Sequence, residues 1–248
     1  MDEGTLRTRL WAGFARLQTL LGGHAGPGAV LERDGLVASV VPSAPDSPTL
    51  NAAVAIEPDA ATSYLQELAD RYAMANVRRW GVWLDGGAKR AARVLEQAGM
   101  AVTSSSPGMG AAIAGLEVGR EARQTTDLAT IGRVNDLAYG NFDQRLERTL
   151  APLPNGILHT YRVDLNGEPA AVAMALHHDE DCGVSFVATV PAARRRGLAT
   201  AVMRQALSHA RETGCTSSTL QATDVGERLY ENLGFKRLCL MQLWELRR

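Results

Sequence analysis

One stretch restricts this fold more than any other. Gly183 to Val190 is a short apolar run of strand type, and Pro191 ends it. A loop carrying Arg194, Arg195 and Arg196 follows, and Gly197 opens a helical pattern from Leu198 to about Glu212. Val202, Ala206, Leu207 and Ala210 fall on one side of that helix, so it buries a face. A short strand, Thr219 to Ala222, comes next. The backbone N–H groups that open a helix lack intrahelical partners and face outward, at the positive end of the helix dipole. Such a turn is an anion site, and a glycine there lets a phosphate approach the backbone. Three arginines add positive charge to the same loop. The arrangement suits a pyrophosphate held by main-chain amides.

Around this stretch the chain alternates strands and helices. A helix is predicted over Thr5–Leu21, where Leu6, Leu10, Phe14, Leu17 and Leu21 share a face, and a glycine-rich loop follows at His24–Gly28. Ala29–Val41 reads as strand around the turn Asp34-Gly35, and Leu50–Ile56 as a buried strand. A helix over Ala61 to about Ala75, a strand at Trp80–Leu84, a helix at Lys89–Gln97 stopped by Gly99, and an irregular strand at Ala101–Ile113 complete the first half. The second half begins near Glu117. It predicts a helix through Leu128, Ile131, Val134 and Ala138, capped by Thr125 or Thr126. Strands at Ile157–Val163 and Ala170–Leu176 flank Asn166-Gly167, a strong hairpin signal. A polar turn, His178 to Asp181, leads into the Gly183 strand. After Ala222 come a short helix, Gly226–Asn232, capped at Gly234, and a last strand, Leu238–Leu246.

The two halves share a rhythm. Pro58 and Pro191 stand 133 residues apart, and Gly99 and Gly234 stand 135 apart. Registers this close over about forty residues point to an internal duplication. The first half lacks the chemistry, however. After Pro58 it reads Asp59-Ala60-Ala61, with no arginine or glycine, and Leu95 stands where the second half has Tyr230.

The second motif is Leu229-Tyr230-Glu231-Asn232-Leu233-Gly234-Phe235. The order strand, P-x-x-R-x-x-G-x-A, helix, strand, L-Y-E-x-x-G-F, strand resembles the GNAT superfamily of acetyl-CoA-dependent N-acetyltransferases, over about residues 120–248. The resemblance implies an α/β (α+β) fold with a mixed, mostly antiparallel central sheet flanked by helices, here in two tandem copies. Residues 1–116 would be a degenerate copy and 117–248 the active one. It implies transfer of an acetyl group from acetyl-CoA to a primary amine by direct attack through a tetrahedral intermediate. The main chain of Val187, Ala188 and Thr189 would pair with the pantetheine arm, provided the strand splays from its neighbour there. The loop of Arg194, Arg195, Arg196, Gly197, Leu198, Ala199 and Thr200 would cradle the pyrophosphate. Tyr230 would protonate the departing thiolate.

Three positions depart from the family pattern. Thr223 stands where many members have Asn, and Gly226 where Ala is common. The third strand, Gly183-Val184-Ser185-Phe186, offers no glutamate as a base, so Asp143, a water or an amine arriving neutral remain open. A CoA-binding sensor without turnover is the rival from another class.

Composition excludes much else. At 46% hydrophobic and a net charge of −1, the chain can build a core and has no global pull toward nucleic acid. The short arginine cluster lacks the aromatic residues of a nucleic-acid surface. No apolar run approaches the roughly 20 residues of a membrane helix, and Asp2 and Glu3 do not suit a secretory signal, so a cytoplasmic protein is expected. Three scattered cysteines, Cys182, Cys215 and Cys239, fit ordinary reduced thiols. Gly108-Met109-Gly110 lacks the third glycine of a dinucleotide loop. No phosphate loop of the G-x-x-x-x-G-K type occurs, and Ser185 lacks the second glycine of a nucleophile elbow. His177 to Cys182 carries metal-ligand types, but neighbours on a strand point to opposite faces, so a solvated turn and no metal are expected. The expected partners are acetyl-CoA and an amine acceptor, with a homodimer left open.

Overall fold

The computed structural model describes residues 1–24, 29–141 and 143–246. The loop expected at His24–Gly28 falls, at 25–28, outside them. In chain order the elements are α1 (Glu3–Gly23), β1 (Val30–Arg33), β2 (Leu36–Ser39), β3 (Ala52–Ala55), α2 (Pro58–Ser63), α3 (Leu65–Met74), β4 (Gly81–Asp85), α4 (Lys89–Gln97), β5 (Met100–Ala112), β6 (Arg123–Thr125), α5 (Leu128–Tyr139), α6 (Arg145–Leu150), β7 (His159–Leu165), β8 (Glu168–His178), β9 (Asp181–Thr189), α7 (Leu198–Glu212), β10 (Ser217–Gln221), α8 (Asp224–Asn232) and β11 (Lys236–Leu246).

The chain packs as two compact units, Met1–Leu10 with Met109–Arg237, and Trp11–Gly108 with Leu238–Arg248. The division runs inside α1, β5 and β11. A boundary at 116/117 divides the sequence into halves; these units divide it by packing. Both units hold a mixed, mostly antiparallel sheet flanked by helices.

In the unit built on Trp11–Gly108 the strand order is β1-β2-β3-β4-β11-β5. β1, β2 and β3 pair antiparallel, β3 and β4 parallel, and β4 and β11 antiparallel. Leu36, Leu68, Tyr72, Leu84 and Leu95 form its core. Tyr72 stacks on Trp80 at 4.8 Å and donates to the Ser39 carbonyl at 3.0 Å, which satisfies its buried hydroxyl. The helix expected at Ala61–Ala75 begins earlier, with Pro58 in its first turn, and breaks at Tyr64. Thr62 and Ser63 both donate side-chain hydrogen bonds to the Asp59 carbonyl, which competes with regular helix at this point.

In the unit built on Met109–Arg237 the order is β5-β10-β9-β8-β7-β6. β6 through β9 pair antiparallel, and β9 and β10 parallel across the α7 crossover. Thus β1-β2-β3-β4 and β7-β8-β9-β10 follow one scheme, and Gly99 and Gly234 both end helices at positive φ, +83° and +100°. Ala171, Ala173, Ala175, Cys182, Val184 and Leu220 pack with Val202, Met203, Ala206, Leu207 and Ala210 of α7. α5 packs on β8 and β9. Its cap is Asp127 rather than Thr125 or Thr126. The carboxylate accepts from Thr130 N at 3.0 Å, while Thr125 Oγ1 accepts from Asp127 N at 3.1 Å.

The expected solvated turn is only partly solvated. Asp179 and Glu180 form its tip at φ 44° and 60°, but His178 and Asp181 on either side are buried. The Asp181 carboxylate accepts from Ser217 Oγ and from Thr219 Oγ1, the latter at 2.6 Å. Among the described residues no cluster of His, Cys, Asp and Glu is arranged to hold a metal, and no helix is long and apolar enough to cross a membrane.

Candidate functional site

The site begins with an irregularity in β9. Met174 pairs with Ser185 and Val172 with Ala188, so two steps along β8 span three along β9. The extra residue is accommodated at Phe186, whose φ is +51°. A bulky residue at positive φ is strained, by roughly 1–2 kcal/mol, and the bulge bends the strand. On its other side β9 pairs with β10 from Asp181↔Ser217 only to Val184↔Leu220. β10 ends at Gln221 while β9 runs on to Thr189. Beyond Val184 the β10 flank of β9 is therefore an open edge, at Val187, Ala188 and Thr189. Such an edge presents main-chain groups that require partners.

Among the described residues, three buried polar atoms here have no hydrogen-bond partner: Ser185 Oγ, Thr189 Oγ1 and Gln221 Nε2. Thr189 lies on the α7 side, since it pairs with Ala171. Ser185 lies on the opposite face, where α5 packs. Orphan polar atoms on both faces of a strand edge mark a place that a polar ligand would complete.

The loop after β9 makes a short 3-10 turn, Pro191–Ala193, then passes through Arg195 at φ 60° and Gly197 at φ 76°. Gly197 caps α7, and no side chain caps the helix there. Leu198, Ala199 and Thr200 form its first turn, with outward N–H groups. A Cβ built on Gly197 would meet nothing within 4 Å. The glycine thus serves the backbone turn and keeps open the space before the amides. Arg195 and Arg196 are exposed and extend from the same loop. Arg194 behaves differently. Its Nε donates to Thr189 O at 3.2 Å and its Nη2 to Ala138 O, in the last turn of α5, at 2.6 Å.

Tyr230 sits on α8 with 7% of its surface exposed, its ring edge-on to Phe235 at 6.1 Å. Among the described residues nothing hydrogen-bonds its hydroxyl. Burial pushes the phenol well up, and the neighbouring Tyr139 phenol adds to the shift. The two departures near it have structural roles. Thr223 caps α8, its hydroxyl accepting from Gly226 N at 3.1 Å. A Cβ on Gly226 would lie 3.2 Å from Tyr230 Cε2, so the glycine lets the ring lie against the first turn. Asp143 is paired with Arg145 Nε at 2.6 Å.

Sequence reasoning missed β6, α6, the positive φ of Phe186 and the engagement of Arg194 with α5. No local pattern announces them. α6 is a six-residue helix, held because the buried Asp136 carboxylate accepts from Leu146 N at 3.3 Å and Glu147 N at 2.9 Å.

Residues 129–235 match the model of the acetyltransferase (GNAT) family. The fold is similar to that of a GCN5-related N-acetyltransferase from Kribbella flavida, at 20% identity and a TM-score of 0.70, covering 97% of this chain and 95% of that one. It is also similar to a GCN5-related N-acetyltransferase from Sphaerobacter thermophilus (15% identity, TM-score 0.59, 86% and 78% covered). A putative GNAT-family acetyltransferase from Novosphingobium aromaticivorans shares 18% identity at a TM-score of 0.57, with 94% and 96% covered. No curated protein matches the chain.

Proposed function

From the premise that residues 129–235 form a GNAT acetyltransferase domain, we propose that this acyltransferase moves an acetyl group from acetyl-CoA to a primary amine by direct attack. The observation that carries the reading is the parting of β9 from β10 at the Phe186 bulge, directly before a glycine-opened helix start. An extended pantetheine arm fits an edge that has no strand paired to it at Val187, Ala188 and Thr189 on the β10 side among the described residues. The outward amides of Gly197 to Thr200, with Arg195 and Arg196 beside them, suit the pyrophosphate.

In this reading the amine nitrogen attacks the thioester carbon, a C–N bond forms, the C–S bond breaks, and sulfur leaves with the electron pair. A main-chain N–H on the open edge stabilises the oxyanion. Burial holds Tyr230 protonated, with its pKa raised well above a thiol's usual ~8.5. Its contribution is therefore a hydrogen bond donated to the developing thiolate, while the proton that the attacking nitrogen sheds passes to solvent and the sulfur takes one up from there. The three cysteines take no part; Cys182 is fully buried, which pushes its thiol up and keeps it protonated.

The unit built on Trp11–Gly108 has the strand scheme without the site. β2 and β3 pair without a bulge, and Glu57-Pro58 leads directly into α2. In this reading it is a degenerate copy of structural use. The test is a thiol-release assay with acetyl-CoA across a panel of amines, beside calorimetric titration with CoA. Acetylated amine with stoichiometric thiol is the expected outcome. Tight CoA binding with no turnover on any amine would assign the protein a sensing role.

A further inference from the structure

Arg194 is one of three adjacent arginines in a loop suited to phosphate, yet its guanidinium is used differently. Nε and Nη2 bond two main-chain carbonyls on separate elements, Thr189 O at the end of β9 and Ala138 O in the last turn of α5. Carbonyls in a helix's last turn lack intrahelical donors and form the negative end of its dipole, so a guanidinium there is stabilising. Among the described residues, Gly140 N and Asn141 N both bond Asp136 O rather than Ala138 O.

We propose that Arg194 is a positioning residue, a strut that couples the phosphate-binding loop to the helix pair α5–α6. The proposal rests on the acetyl-CoA reading above. Asp136, two residues before Ala138, holds the start of α6 through Leu146 N and Glu147 N. Gly132 brings the two helices into contact, because a Cβ there would lie 2.4 Å from Glu147 Cα. α5 and α6 therefore move together, and Arg194 is the link from that pair to the loop. When a pyrophosphate fixes the loop, Arg194 fixes the end of α5, and with it α6. Reciprocity requires that whatever orders α5–α6 also tighten the cofactor.

The planar guanidinium fork is what spans two carbonyls; a lysine ammonium is a point charge on a flexible stem. The test uses the full chain as wild type, Arg194→Ala and Arg194→Lys, with amide exchange over α5 and α6 and calorimetric CoA titration. Free Arg194→Ala should exchange faster than wild type at the α5 C-terminus and in α6. CoA should slow exchange there in wild type and not in either variant. CoA affinity in the variants should stay within about threefold, because main-chain amides rather than Arg194 hold the phosphate. A tenfold or greater loss of CoA affinity, with the exchange response intact, would make Arg194 a phosphate ligand and overturn the proposal. So would equal exchange of free wild type and Arg194→Ala. Wild type that fails to bind CoA would overturn the acetyl-CoA reading, while the comparison of the free proteins would still decide whether Arg194 holds α5.

Discussion

The imidazole of His177 on β8 lies 4.1 Å, centre to centre, from that of His159 on β7. His209 of α7 closes the group at 4.8 Å from His159 and 5.6 Å from His177. Tyr161 OH bonds His209 Nδ1 at 2.9 Å, and Thr213 Oγ1 bonds His177 Nδ1 at 3.1 Å. Burial, then the charge of the other histidines, pushes His177 down to about 4; His159 moves the same way for the same reasons. Below about 6.5 the unfolded chain takes up a proton here that the folded chain refuses. Stability should thus be full above pH 6.5 and fall as pH drops toward 4. Because the rings are partly exposed, the loss should be modest, roughly 1–2 kcal/mol. Urea midpoints at pH 7.0 and 5.0 measure it, and His177→Phe should flatten the slope. An unchanged slope in that variant would place the proton uptake elsewhere.

Gly197 should tolerate no large side chain if the loop holds phosphate. Its φ of 76° makes Ala cost about 1 kcal/mol in backbone strain, although nothing crowds the site. Asn, which adopts this conformation more readily, should cost less. Gly197→Trp should keep its fold and lose CoA binding, because the indole would fill the space before the amides. Retained affinity in calorimetry would remove the loop from the cofactor site.

Asp136→Asn tests the α5–α6 junction. The carboxylate serves two main-chain donors at the start of α6, and an amide in its place brings an N–H toward an N–H. A destabilisation of about 1–3 kcal/mol is expected. A stability within about 0.5 kcal/mol of wild type, as for ordinary surface changes, would mean that α6 is held by packing alone.

Much of this architecture is legible locally. The β9–loop–α7 run, the Asn166-Gly167 hairpin and α4 carry their own periodicity and turn chemistry. The missing parts depend on distant residues. The polar look of His178–Asp181 hides that Ser217 and Thr219, on a strand beyond α7, make Asp181 a buried acceptor. A Phe at positive φ contradicts local preference, and the cost is sustained by pairing on the β8 side. The place of the last strand is also non-local, because β4 recruits β11 across most of the chain.

CoA should bind once per chain. The bulge and open edge occur in β9 and not in β3, whose pairing with β2 runs in regular register from Leu36↔Ala55 to Ala38↔Ala53. Asp59, in the first turn of α2, would also repel a phosphate. A stoichiometry of two equivalent sites in calorimetry would show that the unit built on Trp11–Gly108 retains a cofactor site by other means.

Tyr230→Phe separates catalysis from packing. The substitution removes one hydroxyl and keeps the ring that meets Phe235 and the first turn of α8. Since nothing among the described residues bonds that hydroxyl, stability should change by less than about 0.5 kcal/mol, below the ~1 kcal/mol of a lost buried hydrogen bond. Affinity for acetyl-CoA should hold, because the open strand edge and the helix start carry it. Turnover should fall by about 10²–10³-fold, the usual worth of one donor aimed at developing charge. The fall should be largest for acceptors whose rate is set by thiolate departure and smaller where product release is slow. Melting point and steady-state rate measured on one preparation distinguish the cases. A lower melting point with the rate intact would make Tyr230 a packing residue, and the charge on the departing sulfur would then fall to main-chain donors of β9 alone.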